Sequence, residues 1–145
     1  MASFSVDSNC IIAAVSAWHP FHDVVAAEIN GRRERGEALV APAHALAEAY
    51  AVLTRLPAPH RLSSSEAWAV LSGSFVPSAK VAALSGTAYT ILLRRLAREG
   101  AEGGRVYDAV IGETVRRARV ETLLTLNPRH FDPPPAGVIV VDPSQ

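Results

Sequence analysis

Three carboxylates in this chain of 145 residues stand in sequence that is otherwise apolar or small. Asp7 is the only charged residue among the first eighteen and follows directly on Phe4-Ser5-Val6. Glu48 is the only acid between Ala38 and Thr54. On a helix its neighbours one turn away are His44, Ala45, Ala51 and Val52, a mostly small and apolar stripe. Asp108 is followed at helical spacing by Ile111, Gly112 and Val115, which turns it inward as well. Each acid alone has an ordinary explanation. Asp7 would cap a helix, Glu48 would reach for water from the core, and Asp108 would sit at a favourable helix start. Jointly they raise a different problem, because acids gathered in an interior repel one another unless a cation lies between them. A hard, oxygen-liganded cation such as Mg²⁺ or Mn²⁺ answers it. Zinc is disfavoured, since His is scarce near these positions and Cys10 is the only cysteine. A further polar feature is Thr125-Leu126-Asn127-Pro128-Arg129-His130-Phe131. Asn127 can project from a strand end or simply start a turn. Glu113 falls off the inward stripe and is expected in solvent; no direction is assigned to Asp132.

These residues need elements to hold them. Phe4–Val6, Ala38–Ala41, Lys80–Leu84, Thr122–Leu126 and Val138–Val141 read as five short strands. Helical patterns lie between them: about Ser8–Trp18, Phe21–Arg35 stopping at Gly36, Pro42–Arg55, a helix from Ser65, one capped by Ser85 and ending at Gly100, and about Val106–Ala118. Ser63 and Glu66 have capping-box spacing. Leu56-Pro57-Ala58-Pro59 and Pro133-Pro134-Pro135 interrupt the pattern. Strands separated by helices predict a parallel sheet with helices on both faces. Asp7 then lies at the carboxyl end of a strand, where open α/β sheets bind ligands.

Composition narrows the classes. With 49% hydrophobic and 19% charged residues, the chain is neither disordered nor fibrous. Its length suits one domain, residues 1–145. Fourteen basic and fourteen acidic residues cancel, which argues against a polybasic binder held by phosphate neutralisation alone. The basic side is thirteen Arg and one Lys, Lys80. Arg falls in three clusters, at 32–35, 94–98 and 116–119, which read first as solvated helix faces. Cys10 reads as a small buried hydrophobe. The apolar start lacks a basic flank and carries Asp7, so it reads as folded protein rather than a signal peptide. No run approaches the roughly 20 apolar residues of a membrane span. A cytoplasmic location is the expectation.

In their order and spacing the motifs resemble the PIN-domain ribonucleases, and among them the VapC toxins of type II toxin–antitoxin pairs. Val6-Asp7-Ser8-Asn9 resembles that family's Asp-Thr/Ser-Asn strand end. Ala47-Glu48-Ala49-Tyr50 through Arg55 is similar to its Glu helix, and Tyr107-Asp108-Ala109-Val110-Ile111 to its second Asp helix. Thr125-Leu126-Asn127 through Phe131 resembles its Thr-x-Asn/Asp-x-x-x-Phe segment, and Trp18-His19-Pro20-Phe21-His22 its entry to the second helix. The likeness runs from residue 4 to residue 141.

The resemblance implies a three-layer α/β/α fold with a five-stranded parallel sheet in order 3-2-1-4-5. It also implies Mg²⁺-dependent hydrolysis of RNA phosphodiester bonds, with Mn²⁺ as a substitute. Asp7 and Asp108 would be the metal ligands, with Asn127 as a further contact. Glu48 would complete the acidic set, as a ligand through water or as the group that orients that water, and Thr125 would position the water or Asn127. The implied partners are an RNA substrate, a small VapB-like antitoxin protein and a second copy of the chain. One departure is notable: many members carry Asp where this chain has Asn127, which weakens a second metal site and leaves a one-metal scheme intact. If RNA binds, at least one Arg cluster should flank the acids. His44 reads as structural or substrate-adjacent, and Tyr50 and Trp68 read as core rather than base-stacking residues.

Two other classes fit parts of the sequence. A non-catalytic PIN-like module binding RNA or protein suits Asn127 and the neutral charge. An aspartyl-phosphate phosphohydrolase would use Asp7 as nucleophile, but position 9 is Asn and no suitably placed Lys is evident.

Overall fold

The computed structural model describes residues 2–76 and 78–145. The elements are β1 (Ser3–Val6), α1 (Ser8–Val15), α2 (His22–Glu34), β2 (Ala38–Pro42), α3 (Ala43–Leu53), α4 (Ser64–Phe75), β3 (Lys80–Ala82), α5 (Gly86–Glu99), α6 (Arg105–Arg117), β4 (Thr122–Leu124) and β5 (Ile139–Val141), with a 3-10 turn at Pro128–Phe131. The strands form one all-parallel sheet in the order β3-β2-β1-β4-β5, flanked by helices. The parallel, helix-flanked sheet is the architecture the sequence pattern predicts, and the strand order is the one the family resemblance implies.

Burial follows position in the sheet. β1, β2 and β4 lie inside, and Phe4, Val6, Leu39, Val40, Leu123 and Leu124 are buried, as parallel strands covered on both faces require. The edge strands β3 and β5 are the more exposed ones. The core packs these strands against Ile11 of α1, Ala45, Ala49 and Leu53 of α3, and Ile111 and Val115 of α6. A smaller apolar cluster, Leu84, Ala88, Leu92, Leu96 and Val110, joins α5 to α6. Cys10 is fully buried, and that burial pushes its thiol up, so it is an unreactive core residue.

Local chemistry sets the helix ends. Ser63 accepts from Glu66 N at 3.2 Å while Glu66 Oε1 accepts from Ser63 N at 2.8 Å, the capping box the sequence predicts. Ser85 Oγ accepts from Ala88 N at 3.1 Å, and Gly100 ends α5 with φ of 71°.

Several ends differ from the sequence reading. The first helix stops at Val15 rather than Trp18, because the chain turns extended at Ser16 and Trp18 stacks on His60, ring centroids 4.2 Å apart. β3 ends at Ala82 and β4 at Leu124, each two residues early. For β4 the cause is visible: Leu126 N donates to the Asn9 side chain at 3.1 Å instead of extending the ladder. Glu113 is not solvated; it is 7% exposed and held by Arg116 and Arg117 at 2.7 and 2.9 Å. Tyr50 and Trp68 are not core residues either. Both are exposed, beside an apolar groove between α3 and α4.

Candidate active site

The strand order makes the site. β1 pairs with β2 on one side and β4 on the other, so the connections leaving it diverge, and the carboxyl ends of β1 and β4 border the crevice. Asp7 N donates to Leu124 O at 2.9 Å, which places the residue after β1 beside the end of β4.

Asp7 is 3% exposed, and its two carboxylate oxygens have different partners. It caps α1, with Oδ1 accepting from Ser8 N at 2.8 Å. Its Oδ2 accepts from Thr125 Oγ1 at 2.8 Å and from Asn9 Nδ2 at 3.4 Å. Burial raises the Asp7 pKa, and the hydrogen bonds from Thr125 and Ser8 oppose that rise. Thr125 is fully buried and also accepts from Asn127 N at 3.0 Å and from Asn9 Nδ2 at 3.2 Å. One hydroxyl thus joins Asp7, Asn9 and Asn127.

Glu48 comes from α3. Its Oε2 accepts from Ser8 Oγ at 3.3 Å, tying it to the residue next to Asp7. Its Oε1 lies 2.7 Å from His44 Nε2, one turn back, in a contact too poorly angled for a hydrogen bond. Asp108 is in the first turn of α6. Burial raises its pKa most; the His130 ring opposes this, and the charges of Asp7 and Glu48 raise it further. Asp108 is thus within electrostatic reach of both Asp7 and Glu48.

Asn127 is exposed, and its Nδ2 lies 3.1 Å from His130 Nε2. His130 Nδ1 lies 3.3 Å from Asp108 Oδ2. With its proton on Nδ1, the ring accepts from Asn127 and faces Asp108 with an N–H. Asn127 therefore reaches Asp108 through His130 and Asp7 through Thr125. Asp132 lines the same cavity farther along.

Sequence reasoning missed three contributors. Asn9 bridges the ends of β1 and β4, with its Oδ1 on Leu126 N and its Nδ2 toward Asp7; its signal was the Asp-Ser-Asn motif itself. His130 contacts Asp108, and only its place two residues after Pro128, inside the turn that Pro128 starts, hinted at a return to the site. Tyr107, which stacks on His44 at 5.1 Å, had no signal beyond being next to Asp108.

The donor set suits a hard divalent cation: carboxylate oxygens, one buried Glu48 oxygen without a directed hydrogen bond, and an Asp108 strained by its acidic neighbours. Among the described residues no three His, Cys, Asp or Glu side chains close into a complete ligand set.

Residues 5–133 match the PIN domain family. The chain is 35% identical to Ribonuclease VapC40 of Mycobacterium tuberculosis over 117 residues, 81% of each protein. In fold it resembles VapC20 of Mycobacterium tuberculosis, a sarcin-ricin loop cleaving toxin, with a TM-score of 0.69 at 15% identity over 94% of this chain and 98% of that one. It also resembles the VapBC2 structure from Rickettsia felis, bound to a promoter DNA fragment, with a TM-score of 0.68 at 18% identity over 96% and 97% of the two chains. With its lone acids brought to one crevice on this sheet, the chain belongs to the PIN-domain family and, within it, groups with the VapC ribonucleases.

Proposed function

We propose that this chain is a divalent-metal-dependent endoribonuclease of the toxin class. The observation that carries this reading is the buried Asp7 fixed by Thr125 at the carboxyl ends of β1 and β4, with Glu48 tied to the adjacent Ser8 and Asp108 close enough to feel both acids. The identity to a named ribonuclease over most of both chains supports it.

Asp7 and Asp108 would hold the cation, which we assign as Mg²⁺ with Mn²⁺ as a substitute. When bound, the cation supplies Lewis acidity toward a phosphate and the water that attacks it. Thr125 and Ser8 keep the Asp7 carboxylate oriented and favour its ionised form. Glu48, anchored by Ser8 and backed by His44, orients the attacking water and accepts its proton. Asn127 brings no charge of its own, which suits one cation better than two. His130 holds Asn127 and Asp108 in register across the crevice.

The reading includes a small antitoxin partner, as in the VapBC pairs whose fold the chain shares. The exposed rings of Tyr50 and Trp68 beside an apolar groove support a protein partner. It also includes a single domain over residues 1–145, a homodimer and a cytoplasmic location. No helix among the described residues is long and apolar enough to cross a membrane.

The test is expression of the chain and of Asp7→Asn in a bacterial host, with growth and total RNA followed after induction. The wild type should arrest growth and fragment RNA while Asp7→Asn does neither. Equal behaviour of the two would overturn the assignment.

A further inference from the structure

Glu48 stands on α3 and Asp108 on α6, so their separation depends on how those two helices are held at the crevice. Deeper down, both helices pack into the core, through Ala45 and Ala49 of α3 and Ile111 and Val115 of α6. At the crevice a different pair meets: His44, one turn before Glu48, and Tyr107, the residue before Asp108. Their rings stack with centroids 5.1 Å apart and planes 27° from parallel. Each ring thus belongs to the helix of a different acid.

His44 also touches Glu48 itself. Its Nε2 lies 2.7 Å from Glu48 Oε1, both atoms are shut off from solvent, and neither has another hydrogen-bond partner among the described residues. Without a proton on Nε2, a nitrogen lone pair would face a carboxylate oxygen at that distance, which is repulsive. With one, each atom satisfies the other. The other oxygen, Oε2, accepts from Ser8 Oγ at 3.3 Å. One donor per oxygen then fixes the plane of the carboxylate.

The stack supplies what the contact alone lacks. An imidazole turns readily about χ2, so a histidine one turn away on the same helix has no fixed aim by itself. Tyr107 is 54% exposed, so its ring adds little burial to the fold. Its one aromatic partner among the described residues is the ring that faces Glu48. We propose that His44 is a positioning residue for RNA cleavage, donating from Nε2 to Glu48 Oε1 while Tyr107 clasps its ring and so sets the Glu48 carboxylate against Asp108. This rests on the nuclease reading and adds what aims its proton acceptor.

The test is cleavage of a short single-stranded RNA in Mg²⁺ by the full chain and its variants, with kcat and KM separated. His44→Phe keeps a ring for the stack and loses the donor. It should lower kcat about tenfold or more while KM stays within about twofold of wild type. Tyr107→Ala should lower kcat about threefold or more, and Tyr107→Phe should recover that loss because the stack uses the ring. In a His44→Ala background Tyr107→Ala should cost nothing further, since it acts through that ring. Melting temperatures should fall by about 3 °C or less in every variant, which separates lost aim from lost fold. A second measurement needs no cleavage: nitrogen NMR of the isotope-labelled full chain in EDTA should show His44 protonated at Nε2. Wild-type kcat in His44→Phe, wild-type kcat in Tyr107→Ala, or an Nε2 without its proton would each overturn the role. Any of these in a chain that cleaves RNA removes the role of His44 alone, whereas no cleavage by the wild type removes the nuclease reading and the role with it.

Discussion

Thr125 shows how much of the site depends on one neutral side chain. Its hydroxyl donates to Asp7 and accepts from Asn127 N and Asn9, all from a fully buried position. A hydrogen bond to a charged group contributes about 1.5–3 kcal/mol. Thr125→Val should therefore lower kcat for RNA cleavage by about tenfold or more, while Thr125→Ser, which keeps the hydroxyl, should stay near wild type. Equal rates for the two variants would show that the hydroxyl does not position Asp7. Asp7, Glu48 and Asp108 were legible in the sequence because a lone acid on an apolar stripe is costly and easy to see. Asn9, His130 and Tyr107 were not. Their neighbours are set by the register of β1 against β4 and by the turn after β4, and local patterning does not encode either.

Among the elements, α6 does two jobs with two acids. Asp108 in its first turn faces the crevice, while Glu113 lower down is clasped by Arg116 and Arg117. Those arginines, with their hydrogen bonds first, hold the Glu113 carboxyl at about 2 against an ordinary 4.5. A depressed carboxylate stabilises the fold fully above its ordinary value, and that contribution disappears as pH falls through about 2. Glu113→Gln should cost about 1–2 kcal/mol at neutral pH, since the half-exposed arginines regain water. In denaturant titrations the gap between wild type and variant should narrow from pH 5 toward pH 2, and a gap constant over that range would contradict the assignment. The reading of Glu113 as solvated failed because helical spacing gives a face but not what packs on it. The strand and helix order was legible, because apolar runs, caps and Gly stops are local. The ends of α1 and β4 were not, since long-range partners, His60 for Trp18 and Asn9 for Leu126, stop those elements.

For the whole molecule, a net charge of zero hides a separation that function needs. Glu48 and Asp108 border one cavity together with Arg95, Arg105, Arg116 and Arg129. Such a crevice costs stability. The Asp108 pKa is raised by burial first and then by Asp7 and Glu48, with His130 opposing, so its ionised form is disfavoured in the fold. A raised carboxylate destabilises wherever it is ionised and ceases to do so as it protonates. Asp108→Asn should thus melt higher than wild type in EDTA, by about 1–3 °C. It should also lose the gain in melting temperature that Mg²⁺ gives the wild type. The most direct test of the account is cleavage of a single-stranded RNA by the purified chain in EDTA, then with Mg²⁺ restored, alongside Asp108→Asn. The account predicts cleavage only by the wild type and only with the cation present. Cleavage that persists in EDTA, or that Asp108→Asn carries out at the wild-type rate, would contradict it.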